Sequence, residues 1–171
     1  MERRARDHRC DLVWLWSSHF WLTRQVVRDA ATHSPCLAAD LAELHKNQDE
    51  LGANFAHLTH NPAAGVALAK ELHKHIDIAV EIVQLAAQHK DITDAYKRWQ
   101  TNAMDIAWVY SHFHHRIDYR TVQHHMLYHL SSTLEEATAI LGGKCDDTGR
   151  KAVEYVKTMA DYLTWSFNRA L

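Results

Sequence analysis

Apolar residues recur at steps of three and four along six segments of this chain, the period that an α-helix imposes on a face turned toward a core. The first segment, from about Cys10 to Ala31, carries Leu12, Leu15, His19, Thr23, Val26 and Ala30 on one seam. The second, from about Pro35 to Leu58, carries Leu37, Leu41, Leu44, Gln48, Leu51 and Phe55. The third presents Leu68, Leu72, His75, Ala79, Ile82 and Ala86, and the fourth Ala95, Trp99, Asn102, Ile106, Val109 and Phe113. In the fifth the seam is Val122, His125 or Met126, His129, Thr133, Ala137 and Ile140. The sixth, from about Thr148, offers Val153, Val156, Ala160, Leu163 and Phe167.

The interruptions agree with this division. "HSPC" breaks the first pair, and "THNPAAG" supplies an N-cap at Asn61 with Pro62 at the first helical position. "HKDITDAY" and "HHRIDYR" separate the next segments, and "LGGKCDDTG" carries a glycine stop signal. With only 5 Gly and 2 Pro in 171 residues, there are few breakers for anything but helices. Short connections place consecutive helices antiparallel. The expectation is an all-α chain, a six-helix antiparallel bundle in a single domain. It is built from three hairpins, at about 10–58, 62–115 and 119–171.

Charge and cysteine usage exclude several classes. A net charge of −2 leaves no electrostatic footprint for nucleic acid, and the basic start "MERRARDHR" reads as a solvated tail. Cys10, Cys36 and Cys145 form no CxxC or Cys/His knuckle, which points to reduced thiols and a cytoplasmic compartment. "DLVWLWSSHFWL" follows positive charges as a signal peptide would, but Ser17, Ser18 and His19 interrupt it and no small-residue cleavage site follows. No segment has the roughly 18 apolar residues of a membrane span, so no membrane partner is expected. Trp14, Trp16 and Trp21 exceed what one core stripe needs, suiting a core stripe plus an interface between copies, or a binding face.

One polar residue stands on the seam of each odd-numbered helix. His19, His75 and His129 lie 56 and 54 residues apart. The even-numbered helices answer with "NQDELG" from Asn47 and "NAMDIA" from Asn102, and the sixth with "TMADYL" from Thr158. The acids of these motifs are Glu50, Asp105 and Asp161, 55 and 56 residues apart. Such spacing reads as one hairpin of about 55 residues used three times. Each histidine and its acid lie about 14 residues from the turn between them, roughly 20 Å at 1.5 Å per residue. Three imidazoles and three carboxylates are thus expected in one layer.

Two readings of that layer stand side by side. In the first, His19, His75 and His129 with Glu50, Asp105 and Asp161 bind a divalent zinc, iron, manganese or nickel ion, ligand chemistry that bundle cores accommodate. Asn47, Gln48, Asn102 and His125 then orient the ligands. If a coordination position stays open, metal-activated water or oxygen chemistry follows, with no substrate specified, so enzyme activity is left undecided. In the second, each histidine is satisfied by its acid, and the layer sets helix register in a structural or interaction protein. A third possibility is a small-molecule binder using Trp21 and Trp99. His73 and His75 form an HxH, but on a helix they point about 200° apart and do not chelate together. The remaining histidines among the 15, including His8, His33, His89, His112, His114 and His115, read as surface groups. No Ser/His/Asp or Cys/His signature, phosphate loop or CxxCH is present.

"LWSSHFWLTR" (15–24), "HKNQDELG" (45–52), "ELHKHIDIA" (71–79), "RWQTNAMDIA" (98–107) and "YHLSST" (128–133) resemble, in order, a family of small bacterial helical proteins. Its members often carry labels such as acetylglutamate kinase or glycosyltransferase. The resemblance runs from Leu15 to about Leu163 and includes His19, Trp21, Thr23, Arg24, Asn47, Gly52, His75, Trp99, Asn102 and His129. Glu50 stands where the family pattern has Asp, and Val153 where it often has His. The resemblance implies a helical fold and no activity, and nothing in the chain supports either label. A looser similarity is to metal-dependent helical bundles of the DinB type, which hold metal through three helical histidines. The local match is the HxxxH of His125 and His129.

Overall fold

The structure, a computed structural model, describes residues 2–143 and 148–168, with side chains over 11–143 and 157–167. Six helices account for it: α1 (Glu2–Thr32), α2 (Leu37–Thr59), α3 (Pro62–Ala87), α4 (Thr93–Phe113), α5 (Tyr119–Leu141) and α6 (Thr148–Asn168). The described residues contain no strand, and no helix among them is long and apolar enough to cross a membrane. Cys10, His8, Cys145, Val153 and Val156 fall outside the described side chains.

One expectation is corrected at the N-terminus. The segment read as a solvated tail belongs to α1, which starts at Glu2. Arg, Glu and Ala are good helix formers and no Gly or Pro stands before Cys10, so the backbone continues the helix outward. Elsewhere local chemistry sets the ends. Asn61 accepts from the Ala63 amide at 3.0 Å with Pro62 behind it, and Asp118 caps α5 by accepting from the Thr121 amide at 2.8 Å. After α5, Gly143 takes φ 65°, the left-handed backbone that glycine tolerates without steric cost. His33, His60 and His89 take φ 53°, 52° and 56° just past α1, α2 and α3, where glycine would be relaxed.

Each helix packs on its neighbours in the chain, and α1 also packs on α3, α5 and α6. The seam residues do what their period dictates. Leu12, Leu15, Val26, Leu51, Leu68, Leu72, Ile82, Trp99, Ile106, Val122 and Leu163 are all buried in the core. Between α2 and α3 the backbones nearly touch. A Cβ on Gly52 would stand 2.7 Å from the Gly65 carbonyl oxygen, and one on Gly65 would stand 2.5 Å from the Gly52 oxygen. Only hydrogen fits there.

Candidate functional site

α1, α3 and α5 deliver His19, His75 and His129 to one place. His129 lies between the others, its ring centroid 5.9 Å from that of His19 and 5.9 Å from that of His75. His19 and His75 are each 2 % exposed, and His129 is partly buried. The helix period explains this: each histidine replaces a leucine-like seam residue and follows its seam inward.

Amides, not carboxylates, meet the first two rings. His75 Nδ1 donates to Asn102 Oδ1 at 2.8 Å. The Asn102 amide nitrogen in turn donates to the Glu71 backbone oxygen at 3.0 Å and to its carboxylate at 3.1 Å. With its Nδ1 proton used in this way, neutral His75 carries a bare lone pair on Nε2, and that atom is buried without a hydrogen-bond partner. Trp99 stacks near His75, centroids 5.1 Å apart, and its indole N–H donates to the His75 carbonyl at 3.0 Å. At His19 the partner is Gln48, whose Nε2 lies 3.0 Å from Nδ1 and 3.1 Å from the Leu44 carbonyl oxygen. A carbonyl neighbour identifies that Gln48 atom as the donor, so His19 accepts at Nδ1 and holds its proton on Nε2. Gln48 Oε1 is buried with no partner. Two of the three imidazoles are therefore fixed in opposite tautomers.

All three rings are held neutral at ordinary pH. Burial pushes His19 well below the usual imidazole range, and any charge on His129 or His75 pushes it further, against a smaller opposing effect of the adjoining amides. Burial takes His75 down to about 3, helped by His129 and opposed by the Asn102 bond. Burial alone takes His129 down to about 4. The environment thus presents uncharged nitrogen donors, the form in which imidazole binds metals.

Glu50 and Asp105 lie apart from this cluster's hydrogen bonds. Asp105 is half-exposed and sits 3.6 Å from Lys74 Nζ. Glu50 lines a groove of about 360 Å³ between α1 and α2, with Trp14, Ser18, Trp21 and Glu43. Asp161 is partly buried on α6. Asn47, Gln48 and Asn102, expected one layer further out, are the groups that reach the histidines or their backbone. Asn47 donates to the Leu15 carbonyl at 3.1 Å. His125 is turned toward Tyr162 and His124, with centroids 5.9 and 6.4 Å away, and burial lowers its pKa. Among the described residues no three His, Cys, Asp or Glu side chains stand in an arrangement that holds a metal ion as drawn.

The α1 tryptophans divide between the core and an outward face. Trp16 and Trp99 are buried at 3 % and 2 %, whereas Trp14 and Trp21 are 62 % and 60 % exposed, so Trp21 and Trp99 do not line one site. Sequence reading also missed an ion pair between the partly buried Arg24 and the buried Glu136, which ties α1 to α5. The available signal was that Glu136 follows His129 by two helical turns and so shares its inward face. No protein-family model, curated protein or solved structure matches the chain.

Proposed function

We propose that His19, His75 and His129 bind one divalent transition metal, with Gln48 and Asn102 orienting the outer rings. The observation that carries this reading is the buried, unpartnered Nε2 of His75, on a ring whose centroid lies 5.9 Å from a second neutral imidazole that adjoins a third. Two imidazoles on one metal at about 2.1 Å have centroids about 5 Å apart, so the rings at 5.9 Å need to close by about 1 Å. Metal binding at His19 Nε2 requires its proton to move to Nδ1 and the Gln48 amide to turn so that Oε1 accepts it, at the cost of the bond from Gln48 Nε2 to the Leu44 carbonyl. An imidazole-only set favours zinc, iron or nickel over manganese, which prefers oxygen. Glu50, Asp105 and Asp161 then act at a distance, as compensating charge.

The same reading takes the chain as one domain of three antiparallel hairpins. Its support is a repeated bond: Asn47 and Asn102 each donate to the carbonyl four residues before the histidine of their hairpin, Leu15 and Glu71. Thr158 occupies that position in the third. The exposed Trp14 and Trp21 suit an interface between copies, and the reduced-thiol pattern suits the cytoplasm. The test is metal analysis of tag-free protein. One equivalent of metal lost in His129→Ala is the expected result, and a metal content unchanged by His129→Ala ends the proposal.

A second reading rests on the opposed tautomers. His19 holds an Nε2 proton and His75 a bare Nε2 on either side of His129, so the three rings form a polar chain that sets register without metal. Chelation then leaves the melting temperature unchanged, whereas a bound metal stabilises by linkage.

A further inference from the structure

A different group of ligand-type side chains spans α2 and α3. His45 and Asp49 lie one turn apart on α2, and His73 and Asp77 one turn apart on α3. They pair crosswise: His45 Nε2 to Asp77 Oδ1 at 3.0 Å, and His73 Nε2 to Asp49 Oδ1 at 2.8 Å. The two rings lie 4.6 Å apart between centroids. The His45 Nε2 contact is close but not aligned as a hydrogen bond, and that nitrogen is buried.

Metal geometry gives these distances meaning. Two donors about 2.1 Å from a common ion, at 90° to 109°, stand roughly 3.0 to 3.4 Å apart. Two imidazoles so bound have centroids about 4.5 to 5.3 Å apart by the same arithmetic. The observed 3.0 and 4.6 Å fall at or within those windows, and the 2.8 Å contact just below. The four donors do not yet converge on one point. The histidine side chains are 27 % and 32 % exposed and held by the helices, while Asp49 and Asp77 are 68 % and 60 % exposed and turn at little cost. Either carboxylate can swing onto an ion lodged between the rings. Two imidazoles and two carboxylates also neutralise a divalent charge, which an imidazole-only cluster does not.

We infer that His45, Asp49, His73 and Asp77 form a second divalent-metal site, a zinc-type staple joining α2 to α3 and independent of the His19–His75–His129 cluster. The test uses tag-free, chelator-treated full-length protein titrated with Zn²⁺ by calorimetry and with Co²⁺ by visible absorption. The wild type should bind two equivalents, one at the core cluster and one here, and His129→Ala should keep the second. It should vanish in the His45→Ala/His73→Ala double variant. Asp49→Asn/Asp77→Asn, a surface change whose fold is checked by circular dichroism, should weaken it by at least the roughly tenfold that loss of even an outer supporting group costs. Binding that is absent from the wild type, or unchanged in both double variants, overturns the inference. An equivalent that depends on His129 alone supports the core proposal and refutes this one. An equivalent that depends on His45 and His73 alone does the reverse.

Discussion

Acidification of the metal-free protein provides a direct test of three neutral histidines packed together. In the unfolded chain each imidazole has a pKa near 6.5, whereas burial holds His129 near 4, His75 near 3 and His19 well below 6.5. The folded values are depressed, so the unfolded chain takes up protons first as pH falls. Stability is complete above about pH 7 and is lost between 6.5 and the folded values. At pH 5 the unfolded side is favoured by about 1.5 pKa units for each of His75 and His129, or about 2 kcal/mol each. The two together lose up to about 4 kcal/mol between pH 7.5 and pH 5, and His19, His125 and His114, also lowered by burial, add in the same direction. That is a large share of the 5 to 15 kcal/mol typical of a domain. Urea denaturation of chelator-treated protein at pH 7.5, 6 and 5 measures it, and His75→Gln, which cannot titrate, should remove about 2 kcal/mol of the loss at pH 5. Asp91 and Asp118, held low by hydrogen bonds from Thr93 and Thr121, lose their contributions only below about pH 4 and do not confuse the window. A urea midpoint that stays constant from pH 7.5 to pH 5 would refute the buried neutral cluster.

Other consequences are simpler to measure. Gly65→Ala forces α2 and α3 apart and should cost roughly 1 to 3 kcal/mol, read as a lower urea midpoint. Asn61→Ala removes the α3 cap and should cost about 1 kcal/mol. His89→Gly relieves a left-handed backbone and should stabilise by up to about 1 kcal/mol, whereas a loss would show that the imidazole itself matters there. Asn102→Leu frees the His75 Nδ1–H and should cost about 1 to 3 kcal/mol. In ¹⁵N spectra it should also abolish the fixed His75 tautomer.

The helices and the meeting of three imidazoles were legible because both follow from period. Leu15, His19 and Thr23 share a face whatever the rest of the chain does. Counting residues from a turn, however, gives height and not direction. Asp105 follows Asn102 by three residues, about 60° around the helix, enough to move it from the buried seam to the half-exposed flank where Lys74 waits. The amides were recognised but placed too far out, since a motif does not say which of its polar members is longest inward. The His45–Asp49 and His73–Asp77 group was missed for want of a pairing rule. Yet 45 with 77 and 49 with 73 are level pairs about one fixed turn, and that equality is visible in the sequence. The start of α1 was placed too late, at Cys10, because the apolar period begins only there, whereas the residues before it favour helix without an apolar face.

The contact between Gly52 and Gly65 reaches beyond local packing. Aspartate has the shortest arm of any anionic side chain, and the crosswise pairs bridge α2 and α3 along the same seam as that contact. A methyl group at either glycine would push the helices apart and lengthen the gap that each aspartate spans. Two missing side chains thereby help set the reach that charged residues on the neighbouring surface must have.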